Sequence, residues 1–140
     1  MPTYRLSTDV NAPPERVFEL WIDVDRWPEW IGGLTKVTDR TGQVDQKGTR
    51  YISWFGSMKS PSEVLEAERP RVIRTRFGSA LLKGETEARF EPEAGGTRIV
   101  QTFRTQGVIP AIAGWIFSKG SWKGSFKGEL ETFRKIAERG

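Results

Sequence analysis

The stretch from Ile109 to Gly140 constrains most strongly how this chain can fold. Its apolar side chains Ile112, Trp115, Ile116, Trp122, Phe126, Leu130, Phe133 and Ala137 fall into one stripe on a helix of 3.6 residues per turn. Pro110, with its fixed φ and missing N–H, suits the first turn. A stripe this long and aromatic has to be covered, because fully burying each large side chain is worth roughly 1.5–3 kcal/mol. The rest of the chain must therefore supply a wall for one side of a long terminal helix.

The preceding residues read as that wall. Thr3 to Asn11 alternates Tyr4, Leu6, Thr8 and Val10 against Arg5, Ser7 and Asp9, the period of a half-buried strand. Ala12-Pro13-Pro14 ends it and opens a helix over about 14–22, with Val17, Phe18, Leu20 and Trp21 on its buried side. Asp25 to Trp30 predicts a second short helix, with Pro28 near its first turn and Gly32-Gly33 at its end. Strands are expected at Leu34–Thr41, Thr49–Ser57 and, after a turn at Ser60-Pro61, Glu63–Glu68. Three more follow at Val72–Phe77, at Glu85–Glu91 after a reversal bracketed by Gly78 and Gly84, and at Thr97–Gln106 after Ala94-Gly95-Gly96. Connections this short leave no room for crossover helices, so the strands are antiparallel. The order predicts an α+β fold, a single domain over residues 1–140 with no linker or domain-scale repeat. In it a curved antiparallel sheet of about seven strands wraps a long C-terminal helix, with two short helices after the first strand.

Composition narrows the chemistry. The chain has no cysteine and no histidine, which excludes disulfides, thiolate nucleophiles and the commonest general base and transition-metal ligand. No metal site and no cofactor are expected, and any proton transfer must use carboxylate, lysine, tyrosine or water. The net charge is +4, and residues 109–140 alone hold six Lys/Arg against three Glu. A solvated polar helix face explains that excess, so nucleic acid is not expected as a partner. Contact with anionic lipid stays open, but not as an integral protein. The longest apolar run, Val108 to Phe117, is ten residues and contains Pro110 and Gly114, whereas a membrane span needs about 20. The expected location is cytoplasmic, with no processed leader.

Several segments carry a resemblance. Val10-Asn11-Ala12-Pro13-Pro14-Glu15-Arg16-Val17-Phe18 and Trp21-Ile22-Asp23-Val24-Asp25-Arg26-Trp27-Pro28-Glu29-Trp30 resemble the opening of the START-like helix-grip (SRPBCC) superfamily. Gly48-Thr49-Arg50, Glu68-Arg69-Pro70 and Gly95-Gly96-Thr97-Arg98 continue the likeness in order along the whole chain. The nearest branch is the polyketide cyclase/dehydrase and lipid-transport proteins. The resemblance implies a large apolar cavity between sheet and terminal helix, with Trp27, Pro28 and Trp30 where relatives place its lid. The matching positions are turns and packing residues, so they speak for fold more than function.

Candidate site residues follow from which strand faces turn inward. If the Phe and Tyr sets do, the cavity is lined by Tyr51, Ser53, Phe55, Thr75, Phe77, Phe90, Gln101 and Phe103 from the sheet. Trp27 and Trp30 close one end, and Trp115, Lys119, Trp122 and Phe126 come from the helix. Tyr51, Ser53, Thr75 and Gln101 are then the polar points of an apolar wall, the pattern of a small-molecule site. Lys119 falls inside the apolar stripe, where a cation would meet an acidic head group or snorkel out. Glu85, Glu87 and Arg89 would lie outside with Arg74, Arg76 and Arg104 as surface charge pairs. Gly120, Gly124 and Gly128 fall opposite the aromatics and should face out, either loosening the helix for ligand entry or receiving a second copy. Asp23 and Asp25 carry no assigned chemistry, and no residue is nominated as catalytic. The leading expectation is a carrier or sensor of a hydrophobic, lipid-like or aromatic molecule, acting as monomer or homodimer. A cyclase/dehydratase without metal or cofactor and a co-chaperone-like interaction module are the alternatives, the enzyme being disfavoured by the missing histidine.

Overall fold

The structure, a computed structural model, describes residues 3–78, 82–107 and 121–139, with the side chains at 82, 105–107 and 121–127 excepted. Seven strands form one curved sheet: β1 (Thr3–Val10), β2 (Lys36–Thr38), β3 (Arg50–Phe55), β4 (Met58–Glu68), β5 (Val72–Gly78), β6 (Leu82–Glu93) and β7 (Gly96–Gly107). Their order is β1-β7-β6-β5-β4-β3-β2, and every neighbouring pair is antiparallel. Two helical pieces follow β1, α1 (Pro14–Trp21) and a 3-10 helix (Val24–Glu29). The chain ends in α2 (Ser121–Glu138). This is the α+β arrangement that the strand spacing predicts, and it is the helix-grip fold.

Period-two alternation sorts the sheet into two faces. One face carries Leu6, Val10, Val64, Ile73, Ala88, Phe90, Ile99 and Phe103, all buried. Both helices pack on this inner face. Pro14 takes the first position of α1, where its missing N–H costs nothing, and α1 buries Val17, Phe18, Leu20 and Trp21. Helix α2 buries Leu130, Phe133, Ile136 and Ala137, with Phe133 fully enclosed. The Phe133 ring meets Trp21 at 5.1 Å and Trp30 at 4.9 Å between centroids, and Trp21 in turn meets Phe90 of the sheet at 5.4 Å. These edge-to-face contacts join α2, α1, the 3-10 segment and β6 into one aromatic cluster. Polar ties fix the register of the helix. The Arg16 Nε–H donates to the Ala137 carbonyl at 3.2 Å, satisfying one of the last free C=O groups of α2. The Thr8 hydroxyl donates to Glu131 at 3.2 Å and the Asn11 N–H to Glu138 at 2.9 Å.

Four expectations need correction. The strand expected over Leu34–Thr41 is only Lys36–Thr38, because Asp39 adopts φ 56°, outside the strand region. Pro61 does not turn the chain; it lies within β4, and the reversal is at Gly56-Ser57. Val64 directs its N–H and C=O to the β3 side, so by alternation Pro61 points its nitrogen the other way. There the ladder to β5 begins only at Ser62, and no sheet bond is lost. Gly84 likewise lies inside β6, opposite Phe77, where a Cβ would collide with the Arg104 carbonyl and the Phe77 ring. Pro28 is the fifth of six residues in the 3-10 helix rather than near its start. The expected beginning of the terminal helix at Pro110, with Ile112 and Ile116, lies outside the described residues.

Replacing Phe133 with alanine removes the ring that joins both helices to the sheet. Chemical denaturation is expected to show a loss of about 3–5 kcal/mol, the range for a fully buried Phe.

Candidate functional site

The predicted wall residues lie on the inner face. Tyr51, Ser53, Thr75, Gln101 and Phe103 are all buried, and Phe55 and Phe77 are half-buried on the same side. Phe90 is also inward but is taken up by the aromatic cluster, at 5.5 Å from Phe18. The opposite side carries the expected ion pairs, Arg74 with Glu85 at 3.7 Å and Arg89 with Glu87 at 2.8 Å. Trp27 and Trp30 are buried at one end of the wall. Trp27 packs edge-on against Tyr51 at 5.5 Å, and its indole N–H donates to the Trp21 carbonyl at 2.8 Å. Trp122 and Phe126 lie on α2, with side chains outside the described residues; Trp115 and Lys119 lie outside them altogether.

The wall holds more hydroxyls than the sequence indicates. Register places Val64, Thr75, Thr86 and Phe103 in one row across β4, β5, β6 and β7, and Tyr51 directly opposite Ser62 in the adjacent row. The Ser62 and Thr75 hydroxyls lie near enough to the Tyr51 phenol to favour its charged form. Burial pushes that phenol up to about 12, the two neighbouring hydroxyls offsetting part of the rise, so it stays neutral and cannot serve as a base near pH 7. Among the described residues the Thr86 Oγ1 beside them is buried with no hydrogen-bond partner, as is the Trp30 Nε1. Buried polar atoms are seldom left unpaired, so these two mark positions where a donor or acceptor from elsewhere fits. Ser62 and Thr86 are wall residues that sequence reasoning missed. Ser62 follows from alternation once Pro61 is placed inside β4 rather than in a turn, and Thr86 follows from the expected strand Glu85–Glu91 with Glu85 and Glu87 outside.

A second feature sits at the edge of the helix. Glu129 of α2 accepts the Gly32 N–H at 2.9 Å, joining the helix to the loop after the 3-10 segment. Burial pushes its carboxyl up to about 7, against the lowering effect of that hydrogen bond. It borders an open groove of about 410 Å³ between residues 28–33 and the helix positions Gly128, Glu129 and Thr132. Gly128 faces outward as expected, with nothing within 4 Å of where a Cβ would stand. Nothing in the spacing singles out Glu129, because its partner lies 97 residues away. Among the described residues no three carboxylates gather to hold a metal ion, and no helix is long and apolar enough to cross a membrane.

A curved sheet that grips a C-terminal helix over an inner face of buried hydroxyls and rings defines a START-like helix-grip domain. Residues 1–138 match the family described as polyketide cyclase / dehydrase and lipid transport, and the chain belongs to that family. Protein Rv2574 of Mycobacterium tuberculosis is similar to it, at 26% identity over 113 residues, covering 77% of this chain and 68% of that protein. Among solved structures, MLL2253 from Mesorhizobium loti superposes with a TM-score of 0.78 at 16% identity, covering 99% of this chain and 98% of that one. The di-domain ARO/CYC StfQ from the steffimycin biosynthetic pathway gives 0.76 at 12% identity, covering 98% of this chain and 51% of that one. At these identities the two structures establish the shared fold alone. The family itself points to hydrophobic small-molecule binding or cyclase chemistry.

The Glu129 carboxyl yields a pH test. Its folded pKa is raised, so its contribution to stability is complete below the unfolded value of 4.5 and is lost as pH rises through about 7. Glu129→Gln keeps an acceptor for the Gly32 N–H. It is expected to stabilise the protein at pH 8 by roughly 1–3 kcal/mol and to leave it unchanged at pH 4 in urea titrations.

Proposed function

We propose that this chain binds a hydrophobic small molecule, lipid-like or aromatic and polyketide-like, between the inner face of the sheet and the C-terminal helix, as a carrier or sensor. The observation that carries this reading is the hydroxyl row. The Ser62 and Thr75 hydroxyls lie beside the neutral Tyr51 phenol, while the Thr86 Oγ1, between Thr75 and Phe103, has no partner among the described residues. Apolar burial supplies affinity in such a wall, and a few fixed polar atoms set orientation. A guest with a ring carbonyl or hydroxyl fits that demand better than a plain hydrocarbon.

One observation favours the enzymatic alternative, a cyclase/dehydratase. Glu129 holds a proton near neutrality in a chain without histidine, which is what a general acid or base requires. In that reading Glu129→Gln abolishes turnover of a poly-β-ketone thioester while binding persists.

The binding reading is tested by native mass spectrometry of protein from its host and by titration with a tetracyclic aromatic ketone and a fatty acid. One of them is expected to bind with micromolar affinity or better. Thr86→Val is expected to weaken an oxygen-bearing ligand by about fivefold to tenfold and to leave its deoxy analogue unchanged. No bound molecule and no titration response with either class contradicts it.

A further inference from the structure

The outer face of the sheet is not uniform. Read across the strands, one row alternates in sign, Arg50, Glu63, Arg76, Glu85 and Arg104, with Arg76 paired to Glu63 at 2.6 Å. Toward the β3–β4 turn the next two rows change character. They contain Lys36, Trp54 and Lys59 in one and Ile52, Pro61 and Lys83 in the other, with no acidic residue in either. Among the described residues none of these three lysines makes an ion pair, although most of the arginines do. The ammonium groups of Lys36 and Lys59 lie over the Trp54 ring instead, at 4.8 and 5.1 Å from its centroid. The indole is held upright by its N–H, which donates to the Thr38 hydroxyl at 2.8 Å, and that hydroxyl donates to Asp39 at 3.1 Å. Met58, 57% exposed, pairs with Phe55 at the end of the β3–β4 hairpin and so belongs to the other side of the sheet.

We propose that this end of the outer face, built on Lys36, Trp54, Lys59 and Lys83, docks the protein on an anionic lipid bilayer. Each feature matches that surface. Unpaired lysines meet lipid phosphates, and a Trp with its polar edge satisfied sits at headgroup depth. A second protein would be expected to meet complementary carboxylates and a larger apolar area; a bilayer needs neither. The bland role of edge lysines, to block strand-to-strand association, explains Lys36 on the edge strand β2. It does not explain Lys59 or Lys83, which lie on strands paired on both sides. The inference is independent of what the inner face binds.

The test is co-sedimentation of the full chain with vesicles of phosphatidylcholine alone or mixed with phosphatidylglycerol. Binding is expected only with the anionic lipid and is expected to weaken as salt rises. Replacing Lys36, Lys59 and Lys83 with Gln together is expected to cut it about a hundredfold, near fivefold for each charge. Equal binding to both vesicle types overturns the proposal, and so does undiminished binding of the folded triple variant. Loss of binding in Lys119→Gln/Lys123→Gln/Lys127→Gln instead would move the contact to the C-terminal helix and also overturn it. Binding to double-stranded DNA in place of vesicles would do the same.

Discussion

The enclosure of Phe133 between Trp21 and Trp30 is the contact on which the rest of the structure depends. It brings together the chain's last element, the helix after β1 and the short segment beyond that helix. Through Trp21 it reaches Phe90 and so the middle of the sheet. Without it the inner face would lose its cover, and that face is too apolar to remain in water. The Arg16–Ala137 and Thr8–Glu131 bonds add direction, but neutral or exposed hydrogen bonds of this kind contribute only about 0.5–1.5 kcal/mol each. Ring burial holds the helix; the polar ties choose its register.

Placing the helix end over β1 and the aromatic cluster over β6 determines where a guest can lie. The hydroxyls of Tyr51, Ser62, Thr75 and Thr86 belong to β3, β4, β5 and β6, on the side of the sheet away from β1. The wall is thus divided into a packed half that stabilises and a polar-studded half that can recognise. The same pleat sends alternate residues outward, so that recognition inside and surface charge outside are laid down by one strand register. A one-residue slip would exchange Tyr51 and Ser53 for Ile52 and Trp54 and lose both surfaces.

Much of this is legible in the amino-acid sequence alone. The stripe through Leu130, Phe133 and Ala137 and the alternation of Tyr51 with Ser53 or Gln101 with Phe103 follow from periodicity, because burial enforces it. The family resemblance agrees with the fold over its whole length. Pro61 and Gly84 mislead for a shared reason. Both residue types usually break strands, yet here one sits where no ladder bond is needed and the other where the Phe77 ring leaves no room for a side chain. Placing Pro61 in a turn hides Ser62. Glu129 and the Lys36–Trp54–Lys59 row are hidden differently. Each depends on a partner distant in sequence, which local patterning does not encode.

The central claim is that the hydroxyl-bearing half of the inner face receives an apolar guest. Backbone amide chemical shifts recorded while a ring-containing hydrophobic ligand is added test it most directly. The account predicts that the largest changes fall at Tyr51, Ser53, Ser62, Thr75 and Thr86, with Lys36 and Lys59 on the outer face unmoved. Changes confined to the outer face, or to the groove beside Gly32 and Glu129, would contradict it.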